Sequence, residues 1–172
     1  MLSGMIERGA TVFEELFASH AEQLFAFLVY RTGDRQLAEE VVADTFEKVL
    51  RTRVRFDPRR GSQKNWLYTI ALNLARDHVR RQALERRALE HVGARDAGGS
   101  HYGSLEGIED RDQLGRALAT LGDAEREAIA LRFGADLTVR ETARILGERE
   151  AAVEKRISRA LSRLRGELLP DE

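Results

Sequence analysis

The 172-residue chain has no cysteine, which excludes disulfides and thiolate metal sites and fits the reducing cytosol. It has two prolines, too few to break up its long Ala-, Leu-, Arg- and Glu-rich stretches, and that composition points to an all-α protein. No run approaches the roughly 20 apolar residues of a membrane span, and the N-terminus lacks the apolar centre of a signal peptide. The expectation is therefore a soluble cytoplasmic protein with no membrane insertion. The four histidines (His20, His78, His91 and His101) form no metal or triad spacing, and no phosphate loop is present. Nothing points to a catalytic residue, a metal or a cofactor, so an enzyme is not expected.

What the chain does have is segregated charge. Its formal net charge of −1 hides four blocks. Residues 1–50 carry 4 Lys/Arg against 9 Asp/Glu, and residues 51–95 carry 12 against 4. Residues 96–130 carry 3 against 8, and residues 131–172 carry 9 against 8. A basic block between acidic ones suits a protein that meets a polyanion on one face and another protein on a second. An apolar fraction of 42% is enough for a packed core.

Thr11-Val12-Phe13-Glu14 reads as a capping box opening a helix with Leu16, Phe17, Leu24, Phe27 and Leu28 inward. Gly33 stops it, and Asp34 caps a second helix with Leu37, Val41, Phe46, Val49 and Leu50 inward. Ser62, after the Pro58–Gly61 punctuation, caps a long third helix whose inward stripe is Leu67, Ile70, Ala71, Leu74 and His78. Glycine and serine crowd residues 91–107, which read as a flexible linker. Beyond it a short helix ends near Leu121, and Asp123 caps another that stops at Gly134. Thr138-Val139-Arg140-Glu141 is a second capping box, opening a helix to Leu146. Gly147-Glu148-Arg149 forms a tight turn before a last helix over 150–168. The expectation is two small helical domains, 11–90 and 108–169, joined by a tether over 91–107.

Thr138 to Arg165 has the layout of a helix-turn-helix. In its second helix Val153, Ile157, Ala160, Leu161, Leu164 and Leu168 share one side. Lys155, Ser158 and Ser162 point away between Arg156, Arg159 and Arg163 on one flank and Glu154 on the other. Small polar side chains bordered by arginines suit a major groove. In the third helix Thr69, Asn73, Arg76 and Arg80 line the side opposite the core stripe. Asn73 can pair with a base edge, Arg76 and Arg80 stack four residues apart, and Trp66 and Tyr68 can either stack on bases or pack. His78 lies on the core stripe and is expected to pack.

Gly61 to Arg81, with Trp66-Leu67-Tyr68, Ile70-Ala71, Asn73, Ala75, Asp77 and Arg80-Arg81, resembles the promoter-melting and −10-reading segment of the extracytoplasmic-function (ECF) sigma factors. Leu37 to Phe46 is similar to the helix with which those proteins bind the polymerase clamp. Leu121 to Arg165 resembles their −35-reading domain, through Glu125 to Phe133 and Val153 to Arg165. The resemblance implies that Glu40, Asp44, Thr45, Glu47 and Lys48 face the clamp of the largest subunit of bacterial RNA polymerase core. It implies that the loop 56–63, with Arg59, Arg60 and Ser62, holds a base flipped from the −10 element. Asn73 would contact that element, with Arg76, Arg80 and Arg81 on the strand backbone. Glu154, Lys155 and Ser158 would read the −35 element, with Arg156 and Arg159 on phosphates. Promoter DNA, core polymerase and an anti-sigma factor are the implied partners.

The chain departs from the family pattern at Gly122, where proline is common, and at Ala151 to Arg156, where Gly-Thr-Val-Lys-Ser-Arg is common. Glu154 favours a cytosine N4 donor and is repelled by phosphate. The competing reading is an autonomous helix-turn-helix regulator that needs no polymerase. It accounts for residues 138–165 and leaves residues 37–46 and 65–81 unexplained.

Overall fold

The computed structural model describes residues 3–51, 56–91 and 109–169. Among them are seven α-helices and no strand: α1 Ser3–Thr32, α2 Arg35–Arg51, α3 Gln63–His91, α4 Glu109–Ala119, α5 Asp123–Ile129, α6 Val139–Leu146 and α7 Glu150–Leu168. A 3₁₀ turn, Pro58–Arg60, precedes α3, and a π turn, Ala130–Gly134, follows α5.

Helices α1, α2 and α3 pack on one another as a three-helix unit. Gly33 adopts the left-handed conformation (φ 67°) that ends α1, and Asp34 Oδ1 accepts from Leu37 N at 3.1 Å to start α2. Ser62 Oγ accepts from Asn65 N at 3.1 Å and caps α3. Thr138 and Glu141 form the reciprocal capping box of α6, which ends at Gly147 (φ 69°). The last helix, α7, has the expected bounds.

Other local expectations are overturned. Thr11 starts nothing, because α1 is already under way at Ser3, through Gly4 and Gly9. Asp123 is the first residue of α5 rather than its cap. The cap is Gly122, whose N–H donates to Glu125 Oε2 at 3.3 Å. Arg126 replaces the stop that a proline would supply: it donates to the carbonyls of Leu118, Ala119 and Leu121 at the end of α4. Leu50 and Leu161 are exposed rather than inward, since neither α2 nor α7 meets a neighbour on that edge. Phe17 is also largely exposed, though its ring rests on Phe46 at 4.8 Å. The linker expected over 91–107 falls, apart from His91 at the end of α3, outside the described residues.

The largest departure concerns α3. Its buried face is Leu67, Tyr68, Ala71, Leu72 and Ala75, wider than the expected stripe, while Ile70, Leu74 and His78 are half-buried. The reason lies in the second half of the chain. Ala130, Leu131, Ala135 and Leu137 leave the helix-turn-helix core and join the cluster of Phe27, Leu67 and Tyr68. A separate core of Leu118, Leu121, Ile129, Val153, Ile157, Ala160 and Leu164 holds the helix-turn-helix together. The two halves are therefore docked, with the π turn seated on α1 and α6 against α3.

Candidate nucleic-acid interface

The solvent edge of α3 carries Asn73, Asp77, Arg80 and Arg81, all exposed. They lie on one flank because the opposite side of the helix is buried on α1 and α2. Thr69, expected on this edge, turns its hydroxyl back to the Asn65 carbonyl at 2.7 Å and is half-buried. Tyr68 is fully buried against Phe27, ring centroids 5.2 Å apart, so it packs and does not stack on a base. Burial pushes its phenol pKa well above the ordinary value, and its hydroxyl has no hydrogen-bond partner. Trp66 is half-buried, its ring 6.1 Å from that of Phe56, and so braces the loop before α3. In that loop Asp57 Oδ1 accepts from Arg59 N at 3.0 Å, and the Arg59 and Ser62 side chains are exposed. The Arg60 side chain lies outside the described residues.

Arg76 does not stand open beside Asn73. Its Nε donates to Glu127 Oε1 at 3.0 Å and its Nη2 to Oε2 at 2.6 Å, across the junction between the two halves. Arg31, only 4% exposed, donates to the same Oε1 from Nε at 3.1 Å and Nη2 at 2.9 Å. Burial alone would raise the Glu127 pKa. The hydrogen bonds from Arg76 and Arg31 and their two positive charges outweigh it and hold the carboxyl below the ordinary value. The same hydrogen bond raises Arg76 above its own. Close by, Lys64 Nζ donates to the Asp136 carbonyl at 3.4 Å. A Cβ added at Gly134 would lie 3.1 Å from Phe27 Cα. The composition and periodicity reading did not single out Arg31 or Glu127. A signal was present: each is a charged residue set among apolar neighbours, Arg31 four after Phe27 and Glu127 four before Leu131, and the two have opposite sign.

On α7 the outward face presents Glu154, Lys155, Ser158 and Arg159, all exposed, together with Ser162. Arg156 is placed differently from the expectation. Glu148 in the turn accepts from it in bidentate fashion at 2.8 and 2.6 Å, so it fastens the turn to the helix. Arg163 pairs with Glu125 of α5 at 3.1 Å and Glu150 with Arg140 of α6 at 3.1 Å, linking α7 to both helices at the surface.

The acidic face of α2 shows Glu40, Glu47 and Lys48 exposed and Asp44 half-buried. Asp44 Oδ2 lies 2.9 Å from His78 Nε2, so the histidine expected merely to pack ties α2 to α3. Thr45 does not belong to this face. It is fully buried, and its hydroxyl donates to the Val41 carbonyl at 2.6 Å, since position 45 falls on the core side with Val41. Among the described residues no group of three potential metal ligands occurs, and no helix is long and apolar enough to cross a membrane.

Comparison with known proteins finds two family matches on this chain. The family described as Sigma-70 region 2 matches residues 16–85, and Sigma-70, region 4 matches residues 111–164. The ECF RNA polymerase sigma factor BldN of Streptomyces coelicolor is 32% identical over 166 residues, which is 95% of this chain and 62% of that protein. The ECF RNA polymerase sigma factor RpoE of Cereibacter sphaeroides is 32% identical over 158 residues, 92% of this chain and 87% of the other. Among solved structures, the sigma factor RpoE of Bartonella quintana in complex with the anti-sigma factor NepR aligns with a TM-score of 0.75. That alignment has 26% identity and covers 93% of this chain and 98% of that one.

Proposed function

Because the chain belongs to the extracytoplasmic-function sigma factors of the sigma-70 family, we propose that it binds bacterial RNA polymerase core through α2 and reads a promoter at two sites. The observation that carries this is the presence of two DNA-suited faces in one chain. One is the Asn73–Arg80–Arg81 edge of α3, and the other is the polar face of α7 in a helix-turn-helix. Either face alone would suit many DNA-binding proteins. A duplex reader coupled to a basic edge with an amide for a base suits a protein that finds a promoter and then holds it open.

The mechanism follows from the energetics of strand separation. Drawing a base out of the stack costs on the order of a few kcal/mol. Loop 56–63, braced by Trp66, offers a place for that base, and Asn73 carries both a donor and an acceptor for a neighbouring one. Arg80, Arg81 and, once released from Glu127, Arg76 hold the strand's phosphates. Glu154, Lys155 and Ser158 face base edges in the −35 duplex, and Arg159 faces the backbone. Exposed Glu40, Glu47 and Lys48, with Asp44, meet the clamp. An acidic α2 suits a protein partner and repels DNA. The polymerase supplies the chemistry of chain synthesis. An anti-sigma factor is the expected further partner, since the Bartonella relative is found in complex with the anti-sigma factor NepR.

Run-off transcription tests the reading. Core polymerase supplied with this protein and a genomic promoter library yields discrete transcripts whose sequencing gives the promoter pattern. A library that gives no transcript above core polymerase alone overturns it.

A further inference from the structure

Two guanidinium groups share one oxygen in the closed molecule. Glu127 Oε1 accepts from Arg31 at 2.9 and 3.1 Å and from Arg76 at 3.0 Å, and Oε2 takes a second bond from Arg76 at 2.6 Å. Two arginines converging on one oxygen repel each other when it leaves, so undocking the helix-turn-helix half uncovers a pair of cations in need of an anion. The arrangement, forked donors from two sides on a planar oxyanion, also suits a phosphate. Arg76 already lies on the edge assigned to the −10 strand, and Arg31 reaches the same point from α1.

We propose that Arg31 and Arg76 form a single oxyanion site, filled by Glu127 when the two halves are docked and by a backbone phosphate of the promoter strand when they part. The proposal rests on the reading of α3 as the −10 strand helix. It adds Arg31 to the DNA-binding residues and makes Glu127 an internal competitor of DNA. The apolar seat sets how closely the competitor is held. The π turn places Gly134 so close to Phe27 that an added Cβ, 3.1 Å from Phe27 Cα, would push the two apart by a few tenths of an ångström, and Leu131 and Leu137 complete the contact. Strand binding and docking are then mutually exclusive.

The test uses the full-length protein and a fluorescent single-stranded oligonucleotide carrying the −10 region of a promoter identified by transcript sequencing. Glu127→Gln, which keeps the shape and removes the charge, enlarges the radius of gyration and tightens strand binding by the protein without polymerase about tenfold. Adding Arg31→Gln to it reverses the gain and lowers the slope of log affinity against log salt by about 0.7, the loss of one phosphate contact on a single strand. Gly134→Ala reaches the same open state with every charge retained, and carries the test should Glu127→Gln fail to fold. Polymerase saturated with Glu127→Gln transcribes at the unmodified rate. If the variants open the molecule but Arg31→Gln leaves affinity and salt slope unchanged, the shared site is wrong. If neither variant opens it or alters binding, the competition is wrong. Failure of the unmodified holoenzyme to transcribe overturns the sigma-factor reading instead, and is separable because the strand assay contains no polymerase.

Discussion

Asn73 and Thr45 show how differently two polar side chains on amphipathic helices behave. Asn73 is exposed on the edge of α3, with its amide toward solvent. Asn73→Ala is expected to reduce open-complex formation by about 1–3 kcal/mol, the value of a bidentate base contact, while leaving duplex binding nearly unchanged. Permanganate reactivity of unpaired thymines set beside a gel shift checks this, and an equal loss in both would remove the strand-capture role. Thr45 is fully buried, with its hydroxyl spent on its own helix. Thr45→Val should leave the affinity for core polymerase unchanged. Glu40→Lys, on the exposed acidic face, should weaken it about tenfold, or 1.4 kcal/mol. Competition binding against an unmodified factor distinguishes the two.

At the scale of the element, the starts at Asp34, Ser62 and Thr138 and the stops at Gly33 and Gly147 were legible in the sequence, while the starts expected at Thr11 and Asp123 were not. Asp34, Ser62 and the Thr138–Glu141 pair cap the helices expected of them because a cap is a contact within one turn of chain. Gly147 is equally local: φ is 69° and a Cβ there would meet nothing within 4 Å, so only the left-handed backbone demands glycine. Gly147→Ala should therefore cost about 1–2 kcal/mol through backbone strain alone, read as a lower urea midpoint at constant m-value. The buried stripe of α3 was harder to read. The expected stripe, four apolar residues at 67, 70, 71 and 74 with His78, spans too narrow an arc for the packing that α3 has. In fact α3 packs on α1, α2 and α6, and its apolar cluster is completed by residues 130–137, more than fifty positions away. Tyr68 and Leu72 look like flank residues until that partner is known. The same distance hid the pairing of Arg76 with Glu127. Glu40 and Glu47 of α2 and Lys155, Ser158 and Ser162 of α7 are exposed, whereas Asp44 is half-buried on His78. Thr45 was misplaced because a family motif marks a segment without saying which of its side chains point outward.

For the whole molecule, the two halves meet across a carboxyl, Glu127, bonded to an arginine of α1 and one of α3. The Glu127 pKa lies below its ordinary value, so the folded state binds that proton less readily than the unfolded chain does. Its contribution is complete above the unfolded value of about 4.3 and is lost as pH falls through the depressed one. The urea midpoint should therefore hold steady down to about pH 5 and fall below that. Glu127→Gln should lower the plateau and flatten its acid limb. An acid limb of the same depth in the variant would show that other carboxylates dominate.

Trp66, set against Phe56 beside the loop proposed to hold the flipped base, is the only tryptophan in the chain. The intrinsic fluorescence of this protein is thus dominated by one spot a few residues from the proposed strand-binding edge. Emission excited at the red edge can report on that loop without a dye, a cysteine handle or a change to the sequence. Polymerase brings its own indoles, but in the isolated factor the signal belongs to a single side chain. The arrival of a nucleobase there becomes an optical event that stopped flow can time.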